Sequence, residues 1–324
     1  LAGSLSTAST DAITVTVTGS SADAAHLNTI DGVTCLAVVA TSAATITGTA
    51  AAIVTAAQSA EITTAADYAA TVDSGTLSVA NALILEADTT GAITASIAEG
   101  DVATLKTLTD ANNNNALTIT VTDTSAAAAD LIAIDAITSV TIDASAVSTA
   151  TGSAANLSTV ASSAGINAGN FAATVDAGVA AAADLIAIDR GASGTVTATG
   201  VTTISGTGVE IVTIARSGGI TTAPDYAASV SDTVSVAIIN IVDSATTGVI
   251  TAAASDGDLA TLKTLTNANS NNAVTVTVTD ATAAATDLTT VVGLTSVGVN
   301  ASAVTTITGT VTQINAAIAA VGTA

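Results

Sequence analysis

The sequence almost lacks the large side chains that usually fill a protein core. Methionine and tryptophan are absent, and aromatic residues make up 1% of the chain. Even so, 49% of the 324 residues are hydrophobic, mainly Ala, Val and Ile. Small and β-branched side chains suit narrow, regular layers rather than an irregular globular interior. A mean hydropathy of +0.68 excludes an intrinsically disordered chain.

Basic residues are scarce as well. Four Lys and Arg residues stand against 26 Asp and Glu residues, which gives a net charge of −22. Binding to nucleic acid or to an anionic membrane surface requires clusters of Lys and Arg, so the sequence predicts neither partner. A surface this acidic persists most easily where cations neutralise it, as in salt water or calcium-containing media. We therefore expect an extracellular or cell-surface location.

Disulfides and membrane segments are also missing from the sequence. The single cysteine, Cys35, excludes a disulfide framework and a thiolate metal cluster. No stretch of 18 apolar residues lacks polar interruption, so no transmembrane helix or membrane insertion is predicted. No charged segment followed by an apolar run occurs near Leu1, so no signal peptide is predicted within this sequence. Because the chain begins at Leu1 and repeat-like sequence runs to Ala324, we expect a processed product or part of a longer protein.

Internal repeats dominate what is present. Two segments recur almost unchanged, residues 62–70 at 220–228 and residues 99–123 at 256–280. They indicate a duplication of roughly residues 11–166 in residues 167–322. Because shorter repeats continue throughout, the sequence predicts a single continuous solenoid over residues 1–324.

A shorter period lies within each half. Apolar residues follow the spacing L-x-x-I-x-x-I-x-x-V-x-I-x-x-S-x-V from Leu131 to Val147, and related runs begin at Leu27 and Leu288. The apolar pair two residues apart predicts a short strand. The apolar positions three residues apart that precede it predict a short helix or 3₁₀ segment.

One apolar residue per strand marks about twelve successive coils of about 26 residues each. These markers are Val17, Val38, Val72, Ile97, Val121, Ile142, Val175, Val196, Val230, Ala253, Val278 and Val299. The pattern predicts an α/β solenoid in which each coil has one parallel β-strand and a short helix or 3₁₀ segment. An all-β right-handed β-helix is the alternative, because runs such as ADLIAID can also alternate as strands.

The spacing resembles the leucine-rich repeat core, L-x-x-L-x-L-x-x-N-x-L, in a variant with Ser or Thr at the Asn position. The positions concerned are Thr41, Thr124, Ser145, Thr199, Thr233 and Ser302. The Ala/Thr/Asp-rich texture, as in DLIAIDAITSVTIDASAV, is similar to repeat tracts of bacterial secreted surface proteins, particularly cyanobacterial ones. These resemblances imply a stacked repeat fold in a secreted or surface protein.

Residues suited to catalysis are few. His26 is the only histidine, and without an orienting partner it is predicted to be a solvated helix residue. Cys35 stands beside Leu36 and is predicted to be a buried small hydrophobe. The sequence contains no nucleophile elbow, P-loop or zinc-protease motif. We therefore predict that the protein is not an enzyme.

Acidic residues recur one or two positions after the strand markers and in two D/E-G-D motifs. Stacked coils would align them in a column, where like charges repel. A row of calcium ions would offset that repulsion, because Ca²⁺ takes carboxylate and carbonyl oxygens. Alternatively, each Asp forms a turn or caps a helix and faces water. The candidate calcium ligands are Asp73, Glu99, Asp101, Asp123, Asp143, Asp176, Asp232, Asp256, Asp258 and Asp280.

All three aromatic residues, Tyr68, Phe171 and Tyr226, occupy one place in the repeat, after a long coil. One interpretation is a ring that fills the extra space under the longer loop, and the other is a ring that stacks on a sugar or a surface.

The first and last coils carry ordinary repeat sequence rather than polar caps. An open solenoid end exposes unpaired strand edges, so we expect a longer parent chain or self-association, end to end or laterally. The leading hypothesis is a building block of an extracellular filament, sheath or surface layer. The alternative is a calcium-dependent adhesin stalk or ligand-binding module.

Overall fold

A computed structural model describes residues 11–322, which form a mixed α/β fold of parallel sheets and helices. The described residues contain twelve α-helices: α1 (Ala24–Asp31), α2 (Ala50–Gln58), α3 (Val79–Asp88), α4 (Val102–Leu105), α5 (Ala128–Asp135), α6 (Ala154–Ser162), α7 (Ala182–Gly191), α8 (Gly208–Arg216), α9 (Val236–Ala245), α10 (Leu259–Leu262), α11 (Ala285–Val292) and α12 (Val311–Gly322). None of these helices has the length and apolar character needed to cross a membrane.

The same residues contain twenty-three short strands, and every recorded strand pairing is parallel. The strands are β1 (Val15–Thr16), β2 (Ser21–Asp23), β3 (Val38–Ala40), β4 (Thr45–Thr49), β5 (Ile62–Thr64), β6 (Ala69–Ser74), β7 (Ile93–Ser96), β8 (Ala116–Thr118), β9 (Ser125–Ala127), β10 (Ile142–Asp143), β11 (Thr149–Gly152), β12 (Ile166–Asn167), β13 (Phe171–Val175), β14 (Gly178–Ala181), β15 (Ser193–Ala198), β16 (Val201–Gly206), β17 (Ile220–Thr222), β18 (Ala227–Val234), β19 (Ile250–Ala254), β20 (Asn272–Thr277), β21 (Thr282–Ala284), β22 (Val299–Asn300) and β23 (Thr306–Thr308).

The helices bury the apolar positions that the spacing of three predicted. In α5, Ala128, Leu131 and Ile134 are all fully buried, because residues three apart lie on one helix face. Helix α8 begins with a capping box, in which Thr207 and Glu210 each accept the other's backbone N–H. The mixture of strands and helices is therefore confirmed, and the all-β alternative is wrong.

Most coils contain two short strands before the helix, so the prediction of one strand per coil is wrong. Strand β10 ends at Asp143, whose carboxylate accepts the backbone N–H of Ser145, and β11 begins only at Thr149. This Asp–Ser turn bends the chain between the two strands. The bend could not be predicted from the sequence, because apolar and polar residues alternate in the same way in both strands.

The pairing register differs from the marker residues chosen in the sequence. Val38 pairs with Val15 and Ile62, so this ladder steps by 23 and then 24 residues. Val72, the marker that follows Val38, lies in β6, the second strand of its coil, and pairs with Gly48. The uneven marker spacing arose because some markers, such as Val38, lie in the first strand of a coil and others, such as Val72, lie in the second.

The described residues fall into two compact units. The first comprises residues 11–148 and Ser163–Asn170, and the second comprises Thr149–Ser162 and residues 171–322. In the first unit, the ladders run β1-β3-β5, β2-β4-β6-β7-β8 and β10-β12. In the second, they run β11-β13-β15-β17, β14-β16-β18-β19-β20-β22 and β21-β23. The continuity of residues 1–324 and the duplication of residues 11–166 stay predictions.

The cores consist of small and branched side chains, with three exceptions. Tyr68, Phe171 and Tyr226 are the largest fully buried side chains among the described residues. Their rings are 1–2% exposed, which confirms that they fill internal space. A ring without an exposed face cannot stack on a sugar, so that alternative is wrong.

Candidate functional site

Five acidic residues each accept a hydrogen bond from the first residue of a different helix, the helix of the preceding coil. We call these residues the capping carboxylates. They are Glu99, Asp123, Asp232, Asp256 and Asp280. Their side-chain oxygens accept the backbone N–H of the first helical residues Val79, Val102, Gly208, Val236 and Leu259, at 2.6–2.9 Å. Each partner lies 20–24 residues earlier in the chain. These contacts link one coil to the next.

The capping carboxylates explain why acidic residues recur without basic neighbours. The first N–H groups of a helix have no partner within the helix, and the helix dipole places partial positive charge there. A carboxylate at that point gains a charge-assisted hydrogen bond and a favourable interaction with the dipole. Each capping carboxylate therefore has a partner of opposite partial charge in the backbone.

Three other candidate ligands accept hydrogen bonds within their own coil. The backbone N–H and hydroxyl of Thr104 lower the pKa of Asp101, and those of Thr261 lower the pKa of Asp258. Hydrogen bonds from Ser145 likewise lower the pKa of Asp143. These residues occupy the helix caps and the turn of the alternative interpretation.

The last two candidates, Asp73 and Asp176, lie exposed at strand ends. Within residues 11–322, no group of three or more His, Cys, Asp and Glu side chains is arranged to hold a metal ion. The structure thus brings the ten candidates to helix and strand ends but does not gather them into clusters. Calcium binding by these residues stays a prediction.

Two ion pairs repeat at equivalent places in the two halves of the sequence. Lys106 Nζ lies 3.3 Å from Asp130 Oδ2, and Lys263 Nζ lies 2.9 Å from Asp287 Oδ2. Each pair joins a four-residue helix to the helix of the next coil. Because both partners are partly exposed, each pair contributes about 0–1 kcal/mol.

A set of threonine hydroxyls that follow helices forms a second link between coils, which we call the turn hydroxyls. They belong to Thr34, Thr89, Thr138, Thr246 and Thr295. Each accepts the backbone N–H two residues later and donates to a carbonyl in the preceding coil. All but Thr138 are buried.

The turn hydroxyls were not predicted from the sequence. The six Ser and Thr residues assigned to the Asn position of the leucine-rich repeat are all exposed. The missed signal was a Thr at or just after the end of a helix, followed two residues later by the N–H that closes the turn. Ser and Thr are too abundant in this sequence for that position to stand out.

Replacing Thr246 by Val should destabilise the second unit by about 1–3 kcal/mol, because the Tyr226 carbonyl and the Gly248 N–H lose their partner inside the protein. Denaturant unfolding would measure the change. Thr247→Val is the matched control, since Thr247 is exposed and the one hydrogen bond of its hydroxyl, to the Pro224 carbonyl, is 3.4 Å long. Equal losses for the two variants would contradict a structural role for the buried hydroxyl.

The remaining reactive side chains lie on the surface. His26 is exposed on α1, with Nδ1 3.2 Å from Asp23 Oδ1, which confirms the prediction of a solvated helix residue. Cys35 is exposed, so the prediction of a buried thiol is wrong. The turn made by Thr34 places Val33 and Val38 inward and turns Cys35 towards solvent.

The two buried tyrosines differ in their hydrogen bonds. The Tyr68 hydroxyl donates to Asp88 Oδ2 at 2.8 Å, and burial, together with this contact, raises the pKa of Tyr68. Burial also raises the pKa of Tyr226, but its hydroxyl has no partner. The buried tyrosine hydroxyl therefore has a hydrogen-bond partner in the first half of the sequence and none in the second.

Comparison of the chain with protein-family models, curated proteins and solved structures finds no match to any of them.

Proposed function

We propose that this chain is a non-enzymatic α/β solenoid that associates end to end as the building block of an extracellular filament, sheath or surface layer. The observation that carries the proposal is the exposed apolar interior of the last coil, which is formed by β22, β23 and α12. The leucine-rich-repeat-like character and the single continuous stack are parts of the same proposal.

The solenoid interpretation is supported by how successive coils meet within each unit. Ladder partners lie 20–25 residues apart, and consecutive helices pack together, α1 with α2 and α2 with α3 in the first unit. In the second unit α6, α7, α8 and α9 pack in the same order. Stacked repeats with nearest-neighbour contacts have this pattern.

The last coil leaves inner side chains uncovered. Val304, Ile307 and Ile314 are half-buried, whereas the residues 157 positions earlier, Val147, Ala150 and Leu157, are fully buried. Ile318 is 56% exposed and lines an apolar pocket of about 230 Å³ with Val304 and Ile307. An apolar face of this kind gains free energy when a further coil covers it.

The strand edges of this coil favour a second copy of the chain as the cover. Strands β22 and β23 are the last in their ladders, and β1 and β2 are the first in theirs. A parallel ladder is extended by another strand in the same direction, so β22 and β23 of one copy can pair with β1 and β2 of the next. Such a heterologous contact repeats and generates a filament.

The composition supports a structural role outside the cell. A net charge of −22 keeps separate assemblies apart and requires cations to permit close contact between copies. One exposed histidine and one exposed cysteine provide little chemistry for catalysis. The calcium-dependent adhesin stalk or ligand-binding module stays the alternative.

Ile318→Asp should weaken association at least tenfold, because it places a charge in the apolar face that the next copy covers. Light scattering after size-exclusion chromatography and electron microscopy, with and without calcium and at high salt, would measure assembly. Val209→Asp is the control, since Val209 is 65% exposed and lies on α8, away from the last coil. Wild-type chains that stay monomeric at high concentration in every condition would contradict the proposal and favour a cover provided by a longer parent chain.

A further inference from the structure

A pocket in the second unit is lined by a buried carboxylate, Asp243, whose equivalent in the first copy is fully hydrogen-bonded. The pocket has a volume of about 230 Å³ and lies beside the end of α9, where Pro224, Asp243, Ala245 and Asn269 line it. Asp243 is only 5% exposed. Its Oδ1 atom has no hydrogen-bond partner.

In the first copy, the equivalent carboxylate has all its partners. Glu86, 157 residues before Asp243, accepts the Ala111 N–H with Oε1 at 2.8 Å and the Asn115 side-chain amide with Oε2 at 2.9 Å. Asn115 in turn accepts the Ile93 N–H with its Oδ1 atom. Glu86 therefore belongs to a closed hydrogen-bond network.

In the second copy, Asp243 is one methylene shorter and makes fewer of these contacts. Its Oδ2 atom accepts the backbone N–H of Ala268 in a long hydrogen bond of 3.4 Å. The side-chain amide of Asn272, which is the equivalent of Asn115, donates instead to the Thr266 carbonyl. The Oδ1 atom of Asp243 is left without the donor that Glu86 has.

A second substitution removes another carboxylate from the same place. Ala245 occupies the position equivalent to Asp88, which accepts the Tyr68 hydroxyl in the first copy. The Tyr226 hydroxyl is consequently buried without a partner. Two differences between the copies thus leave a carboxylate oxygen of Asp243 and the hydroxyl of Tyr226 buried without partners.

A buried carboxylate without a counter-charge is costly, so such groups are usually paired or bind a cation. None of the ion pairs within residues 11–322 includes Asp243. We propose that the Asp243 pocket binds a singly charged cation, either a free alkali ion or an ammonium head group. The pocket is lined by one carboxylate and by neutral polar residues such as Ser244, Thr246 and Asn269, a set that suits a single positive charge better than Ca²⁺.

Isothermal titration with potassium, sodium and methylammonium chlorides tests the proposal, with tetramethylammonium chloride holding the ionic strength constant. Wild type should bind one cation per chain, and Asp243→Asn should weaken binding at least tenfold. Asp67→Asn is the charge-matched control, because Asp67 is exposed in the first unit, and it should bind as wild type does. Binding of methylammonium alone identifies an amine head group as the ligand, whereas binding of an alkali ion identifies a free ion.

The double variant Asp243→Glu/Ala245→Asp distinguishes cation binding in the Asp243 pocket from a general attraction of cations to an acidic protein. It restores both carboxylates of the first copy, so Asn272 and Tyr226 gain the partners that Asn115 and Tyr68 have. Although this variant is more negative than wild type, it should bind the cation at least tenfold more weakly. Wild-type affinity in this variant or in Asp243→Asn, or no saturable binding by wild type, would overturn the proposal. Circular dichroism would check that both variants are folded.

Discussion

Replacing Phe171 by Ala should lower the free energy of unfolding by about 3–5 kcal/mol, the largest loss we expect from any single side chain. Phe171 begins β13, is 2% exposed and is one of only three aromatic side chains in the sequence. The surrounding core of Ala, Val and Ile has no large flexible side chain that could move into the space. The cavity should therefore persist.

Denaturant unfolding of Phe171→Ala, followed by circular dichroism, would measure this loss. Hydrogen exchange would show whether it is confined to the coils that contact β13, as expected when repeats interact mainly with neighbours. Val179→Ala is the control, since Val179 is 74% exposed in the same unit and should change stability by less than about 0.5 kcal/mol. A loss below about 1 kcal/mol for Phe171→Ala would show that the ring does not fill a packed interior.

Gly248→Ala should destabilise the second unit by about 3 kcal/mol, because the coils approach too closely there for any side chain. A Cβ atom at position 248 would lie less than 3.0 Å from the carbonyl oxygens of Asp225 and Tyr226. Those atoms belong to the backbone, so the turn before β18 would have to move. The turn hydroxyl of Thr246 holds the same two segments together.

Gly218→Ala provides a matched control for Gly248→Ala within the same unit. No atom lies within 4 Å of the position that its Cβ would take. This variant should therefore be neutral or more stable by about 0.4–1 kcal/mol, since Ala restricts the unfolded chain. Thermal unfolding of both variants would measure the difference. Similar melting temperatures for the two variants would mean that Gly248 does not lie as close to the backbone of Asp225 and Tyr226 as the structure shows.

The helical side of each coil could be predicted because its signal is local. Ala128, Leu131 and Ile134 are three residues apart, and this spacing alone places them on one buried face. The burial of Tyr68 and Tyr226 was one of two interpretations of their shared place after a long coil, and the structure bears it out. Such features depend on residues close together in the chain or on composition as a whole.

The roles of the acidic residues could not be predicted with the same certainty. Asp280 is close in sequence to its strand, but its partner is the N–H of Leu259, 21 residues earlier. Which backbone group meets a carboxylate depends on the pairing register, and the sequence allowed several registers because its strands are short and alike. The exposure of Cys35 was mispredicted for the same reason.

The sequence by itself determined the small-residue core, the helical faces, the short sequence repeats and the scarcity of catalytic groups, because each depends on composition or on spacing within one repeat. Only the tertiary structure decided which strands pair, which N–H each carboxylate accepts and which threonines link coils. It also decided that Asp243 and Tyr226 lack the partners of Glu86 and Tyr68. These outcomes depend on contacts between coils, where a shift of one residue or the loss of one methylene changes the partner of a buried group.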